Sequence, residues 1–203
     1  MVHKFAEIAF TPSVKEVQQE MGSRAAYTKF EDPGDDVSHL LSDDEVAFIQ
    51  GRDSFYMATV SETDWPYIQH RGGPPGFVKV LDPTRIGFLD YRGNRQYISV
   101  GNLRKSDRVS LIFMDYTRKA RLKLLGHARV ADLDEATELG LEIGDGYRAH
   151  PERAFVIEVC GFDWNCPQHI TERYTVEDLR PTVKILQDQI SELEARLAKA
   201  QQR

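Results

Sequence analysis

Two loop stretches hold residue types that could grip an anion. Gln69-His70-Arg71 runs into Gly72-Gly73-Pro74-Pro75-Gly76, and Asp90-Tyr91-Arg92-Gly93-Asn94-Arg95-Gln96 is followed closely by Gly101-Asn102-Leu103. They bracket two short apolar runs, Phe77 to Leu81 and Ile86 to Leu89, joined by Asp82-Pro83-Thr84. Loops rich in Gly, Asn and Arg can turn backbone N–H groups inward and add guanidinium charge, which is what a phosphate needs. The same residues would equally suit a β-hairpin with solvated arginines at its ends. The residue types alone leave both readings open.

Other chemistry is thinly represented. No Gly-x-Ser-x-Gly elbow and no metal-ligand spacing is present, and neither a P-loop nor a Rossmann fingerprint follows a predicted strand. Trp164-Asn165-Cys166-Pro167-Gln168-His169 offers an aromatic, a thiol and an imidazole. Trp164 reads either as a core aromatic or as a wall of a substrate site. Cys166 is a reactive thiol only if its thiolate is stabilised, and otherwise a small apolar residue. His169 is either functional or a satisfied surface histidine. His70 is a lone histidine, a weak signal for any ligand.

The elements that must position these residues follow from periodicity. Thr11-Pro12 opens a helix as N-cap and first helical position, with Val14, Val17 and Met21 at helical spacing and Gly22 as the stop. Ser42 and Glu45 form a capping box that starts a short helix ending at Gly51. From Phe55 the period becomes β-type. Strands are expected over 55–61, 67–71, 77–81, 86–89, 109–116, 120–131 and 154–162, with Leu125-Gly126 marking a bulge. A helix is expected over 134–143. Strands at short spacing with helices confined to connections and ends suggest a small antiparallel barrel.

The last segment differs. Leu179, Val183, Leu186, Ile190, Leu193 and Leu197 follow a 4-3-4-3-4 spacing, a heptad stripe with polar residues on the other faces. This predicts a helix that either pairs as a coiled coil or docks on its own domain.

The 203 residues suffice for one domain with appendages. A net charge of −6 argues against nucleic acid as the main partner, since phosphate backbones are gripped by clustered positive charge. No apolar run reaches the roughly 18 residues of a membrane span. The N-terminal residues lack the apolar core of a signal peptide, and the two cysteines are not spaced as a disulfide framework or Cys-x-x-Cys motif. The expectation is a cytoplasmic protein with neither nucleic acid nor membrane as partner.

The order of features resembles the pyridoxamine 5′-phosphate oxidase-like FMN-binding split barrels. The residues that carry the resemblance are the Gly-rich hairpin, Phe88-Leu89-Asp90-Tyr91-Arg92-Gly93-Asn94-Arg95-Gln96, and the strand pair over 108–113 and 121–129. The 69–76 and 163–169 stretches are similar to a bacterial branch of that superfamily. The likeness spans roughly residues 5 to 175, and its motifs are specific for fold and cofactor rather than for substrate.

The resemblance implies a mainly β (α+β) fold: a six-stranded antiparallel split barrel with peripheral helices and a C-terminal heptad helix. The parts would be an N-terminal helical segment over 1–51, an FMN-binding barrel over 52–175 and the helix over 176–203. It implies a homodimer with FMN at the subunit interface and a small-molecule electron donor. Lys79 matches a family lysine beside the flavin, and Arg95 a phosphate-binding arginine. Gln96 stands where a lysine is common, and Arg71 would supply the missing charge. Arg121 occupies the position of a glutamine facing the pyrimidine end of the ring, where a cation would stabilise the reduced, negatively charged flavin. Gln69, His70, Asn94 and Asn102 fall beside the expected cofactor, while Asp90 would accept from a ribityl hydroxyl or cap its turn. Trp164, Cys166 and His169 are the substrate candidates. The paired C-terminal arginines that hold substrate phosphate in the vitamin B6 enzymes are missing, so that reaction is not implied. The implied function is FMN-dependent hydride or electron transfer. The alternatives are a non-enzymatic flavin-binding or flavin-sensing protein, or a haem- or deazaflavin-binding member of the fold.

Overall fold

The structure is a computed structural model that describes residues 3–31, 39–144, 146–164 and 167–201. The chain divides into two compact units, one comprising 1–115 and 121–166, the other 116–120 and 167–203.

The first unit begins with α1 (Lys4–Ala9), α2 (Pro12–Glu20), α3 (Arg24–Tyr27) and a 3₁₀ turn (Thr28–Phe30). As the Thr11-Pro12 signal predicts, the Thr11 hydroxyl accepts from Val14 N. Then comes α4 (Asp43–Gln50), whose capping box is formed, with Ser42 N donating to Glu45 at 3.0 Å. The seven strands are β1 (Ser54–Val60), β2 (Pro66–Gly72), β3 (Val78–Asp82), β4 (Arg85–Tyr91), β5 (Arg108–Asp115), β6 (Ala120–Ala131) and β7 (Pro151–Trp164). They form one sheet in the order β2-β1-β5-β6-β7-β4-β3. Among the described residues the seven strands are those expected from periodicity, one more than the six that the resemblance implies.

This sheet curls. β1 and β4 stand four places apart in its order, yet the rings of Phe55 and Phe88 meet edge to face at 5.1 Å. Phe55 also stacks on Phe113 at 4.7 Å, and Phe88 on Phe155 at 5.2 Å. Phe55, Phe88, Phe113, Phe155, Met57, Leu111, Leu122, Leu124 and Ile157 are all essentially inaccessible to solvent. Each such side chain contributes roughly 1.5–3 kcal/mol by leaving water, so this aromatic cluster is what rolls the sheet into a split barrel. The bulge expected at Leu125-Gly126 is present as a register shift against β7. A Cβ on Gly126 would lie 2.3 Å from the Glu158 carbonyl oxygen, so only glycine allows the two backbones this close.

Two helices depart from expectation. The helix expected over 134–143 is the shorter α6 (Leu133–Glu138). Gly140 adopts a φ of +69°, Gly140 N donates to Thr137 O, and Leu141 N donates to Ala136 O. That is a Schellman ending, which turns Leu141 into a small outer core with Leu89, Ala136, Ala154 and Val156. The stretch around Gly101-Asn102 is helical rather than loop, forming α5 (Ile98–Leu103). Its hold on the sheet is long-range: buried Asn102 donates to Thr59 Oγ1 at 2.8 Å.

The second unit contains α7 (Val176–Gln201), opened by Thr175 and Asp178 in a reciprocal cap. No helix among the described residues is long and apolar enough to cross a membrane.

Candidate functional site

The two anion-suited loops meet because the sheet curls. β2 is one edge of the sheet and β4 lies next to the other, and Arg71 on β2 reaches Asp90 on β4, Nη1 to Oδ1, at 2.5 Å. Both side chains are about nine-tenths buried. The guanidinium also lies over the Phe155 ring at 4.9 Å, a cation–π contact strengthened by exclusion of water. Asp90 pairs across the sheet with Arg153, whose Nε is 3.8 Å from Oδ2. Burial pushes the Asp90 carboxyl above the ordinary aspartate range, against the pull of Arg71 and Arg153. Burial likewise lowers Arg71, with Asp90 opposing it.

Around this pair lie two adjoining concavities of about 210 and 130 Å³, which share Gln69, Arg71, Asp90 and Tyr91. Asn94, Arg95, Tyr97, Ser99 and Glu152 wall the larger, and His70 the smaller. The loop between β4 and α5 is wound tightly. Asn94 Oδ1 accepts from Gln96 N, while Arg95 and Tyr97 hold φ of 62° and 53°. Left-handed backbone at two non-glycine residues costs of order 1 kcal/mol or more each and is concentrated at ligand sites. Here it aims Arg95 and Tyr97 into the cleft. The Ser99 hydroxyl donates to Gln69 at 3.1 Å.

Charge within the cleft is internally balanced. Glu152 accepts from Arg153 Nη2 at 2.9 Å and from the Tyr97 hydroxyl at 3.3 Å, and lies 3.6 Å from Arg92 Nε. Arg95 Nε donates to the Tyr97 oxygen at 3.1 Å. One donor is left over: Arg71 Nε is buried without a hydrogen-bond partner among the described residues. Native interiors rarely leave such groups unmatched, so this one marks a place for an acceptor.

Of the residues singled out from sequence, the cleft gathers Gln69, His70, Arg71, Asp90, Asn94 and Arg95. Gln96 is exposed on the loop but does not line it, and Asn102 is committed to Thr59. Lys79 sits half-buried on β3, opposite Gly87. Arg121, on β6, also lies outside this cleft, and its Nε is another buried donor lacking a partner among the described residues. Trp164 is engaged structurally: its indole N–H donates to Glu45 at 2.7 Å and its ring meets Phe48 at 4.6 Å. His169 is exposed in the second unit with φ 62°, and Cys166 lies outside the described residues. Tyr97, Ser99, Glu152 and Arg153 were missed. Glu152 and Arg153 reach the site only through the β4–β7 register, which no local pattern signals.

A larger concavity of about 640 Å³ lies elsewhere, between α5 and the β6–β7 strands. Of its arginines, Arg85 pairs with Asp82 and Arg129 with Glu135, while Arg104 also lines it and Asp107 and Glu158 add two carboxylates. The smaller cleft is the better site for an anionic ligand. No cluster of metal-ligating side chains occurs among the described residues.

The profile of the family described as "Pyridoxamine 5'-phosphate oxidase" matches residues 41–159, more than half of the chain. The chain belongs to the pyridoxamine 5′-phosphate oxidase family. The matched region contains β1 to β6, most of β7 and every residue that lines the cleft. No match was found among curated proteins. Among solved structures, HupZ from Group A Streptococcus is similar at 14% identity and a TM-score of 0.47, covering 66% of this chain and 100% of its own. A general stress protein 26-related protein from Clostridium acetobutylicum, of the pyridoxinephosphate oxidase family, is 16% identical, with a TM-score of 0.45 over 67% of this chain and 94% of its own. A conserved hypothetical protein from Mycobacterium tuberculosis matches at 16% identity and a TM-score of 0.45, over 68% and 94%.

Proposed function

We propose that the cleft around Arg71 and Arg95 binds FMN, and that the chain is a flavin-dependent oxidoreductase acting as a homodimer. The observation that carries this reading is the buried, unmatched Arg71 Nε beside Arg95 and Asn94, in a cleft inside the family-matched region. Arg71 and Arg95 would hold the phosphate by charge-assisted hydrogen bonds. Gln69, Asn94 and Ser99 supply neutral donors and acceptors for the rest of the chain of hydroxyls. Asp90 keeps Arg71 oriented and charged. When bound, FMN supplies two-electron redox chemistry at its isoalloxazine ring.

The size of the cleft supports a dimer. Small-molecule sites usually occupy roughly 300–1,000 Å³, and concavities of about 210 and 130 Å³ each fall below that range, small for so long a ligand. A second copy would furnish the missing wall. The unmatched Arg121 Nε, outside its own cleft, fits a residue that completes the site of a neighbouring copy and stabilises the reduced ring. Lys79 would be a further contact to the flavin. Hydride or electron transfer from an organic donor needs no dedicated general base, so none is assigned.

The test is the visible spectrum of purified protein before and after FMN addition and desalting. Retained bands near ~450 and ~370 nm, the usual flavin absorbances, are expected. A protein that stays colourless would overturn the reading. Turnover with NADH or NADPH then separates an enzyme from a non-enzymatic flavin carrier.

A further inference from the structure

We infer that α7 pairs with the same helix of a second copy as a parallel, two-stranded, in-register coiled coil. This does not rest on the flavin reading. α7 is one continuous helix of 26 residues, and nothing among the described residues of the second unit covers its apolar stripe. Val176, Leu179, Val183, Leu186, Ile190, Leu193 and Leu197 are each between 46 and 73% exposed. A stripe of this length left in water is unfavourable, and a seam this narrow matches the facing seam of another helix rather than a broad surface.

The residue types say which partner and which direction. The spacing assigns Val176, Val183, Ile190 and Leu197 to the a positions and Leu179, Leu186, Leu193 and Ala200 to the d positions. Three of the four a residues are β-branched and three of the four d residues are leucine, the pattern of two parallel strands, because the packing angle at a accepts the branched Cβ and that at d accepts leucine. Pro181, Asp188 and Ala195 fall at f, facing away from the seam, where the proline's missing N–H does not touch the partner. In the parallel register the flanking pairs are Thr182 with Gln187, Gln189 with Glu194 and Arg196 with Gln201, none of like charge. An antiparallel pairing would set Arg180 near Glu194, so the flanking charges permit either direction and the a/d residues decide.

About three heptads are marginal alone, so the full-length chain is the object to test. Leu179→Cys and Leu197→Cys place a thiol near each end of the helix. Parallel in-register pairing brings each next to its own copy. Antiparallel pairing would separate like positions by about 25 Å or more at 1.5 Å per residue. Under mild oxidation both variants should form a disulfide dimer on a non-reducing gel, well above the wild-type background from Cys160 and Cys166. Ile185→Cys, at an outer position, should not. Cross-linking at neither end, or equal cross-linking at position 185, would overturn the inference. Each Leu→Cys change removes one seam leucine and no barrel packing, and circular dichroism of each variant verifies the fold.

Discussion

Arg71 and Asp90 meet at 2.5 Å across the opening of the barrel, joining an edge strand to a strand next to the opposite edge. This ion pair thus spans the curled sheet and lines both concavities of the cleft. Removing one partner of a buried pair strands the other charge, at a cost of roughly 3–5 kcal/mol. Asp90→Asn is therefore expected to lower the urea midpoint strongly without changing the slope. The double variant Arg71→Met, Asp90→Leu should recover much of that loss, since no charge is then left buried. Additive losses in this cycle would show that the two residues act independently.

Glu45 links acid stability to Trp164. Burial raises its carboxyl, but hydrogen bonds from the Ser42 hydroxyl, the Trp164 indole and the Ser42 backbone outweigh this and leave it below the ordinary glutamate value of 4.5. The folded state therefore binds this proton more weakly than the unfolded state. The stabilisation is present above that value and is lost as pH falls through the folded pKa. Unfolding curves across roughly pH 5 to 3 should show a shallower decline for Glu45→Gln than for the wild type. An unchanged slope would remove Glu45 from the acid response.

The bulge at Gly126 sets which way β6 faces on either side of it. With a Cβ only 2.3 Å from the Glu158 carbonyl, Gly126→Ala must push two paired strands apart. Backbone clashes of this kind cost about 2 kcal/mol or more. Gly93→Ala, where a Cβ meets nothing within 4 Å, should stay within about 0.5 kcal/mol of the wild type. Thermal melts of the two variants give the comparison.

Glu152 is the carboxylate that would compete with the phosphate of the proposed FMN for the cleft's cations. Glu152→Gln keeps the shape and removes a charge 2.9 Å from Arg153 and 3.6 Å from Arg92. FMN affinity, followed by flavin fluorescence quenching, should rise by about three- to tenfold at low salt and less at high salt. Arg95→Ala should lower it by about tenfold or more, the worth of a charge-assisted hydrogen bond. If neither change moves the affinity, the phosphate is held elsewhere.

Arg121→Ala tests the proposed electrostatic role of that residue. Loss of a cation near the ring makes the reduced flavin less favourable, so the reduction potential of the bound FMN should fall. An unchanged potential would leave Arg121 as a structural strand residue.

What the amino-acid sequence determined by itself is local. Thr11-Pro12, the Ser42/Glu45 capping box, the glycine of the bulge and the arginine–asparagine loop all act over a few residues, and each appears where its pattern predicts. The family likeness was legible for the same reason, since it lies in contiguous stretches such as 88–96. Helix ends were harder: α6 stops at Gly140 because Leu141 finds an outer core formed by β4 and β7. Likewise α5 forms within a loop-like stretch because Asn102 has Thr59 to bond. The tertiary structure alone decided that β1 sits between β2 and β5, that Arg71 faces Asp90, and that Glu152 enters the cleft with Arg153 beside it. Those positions depend on strand order and register, which are set by how seven strands bury one aromatic core together, and no short stretch of chain carries that information.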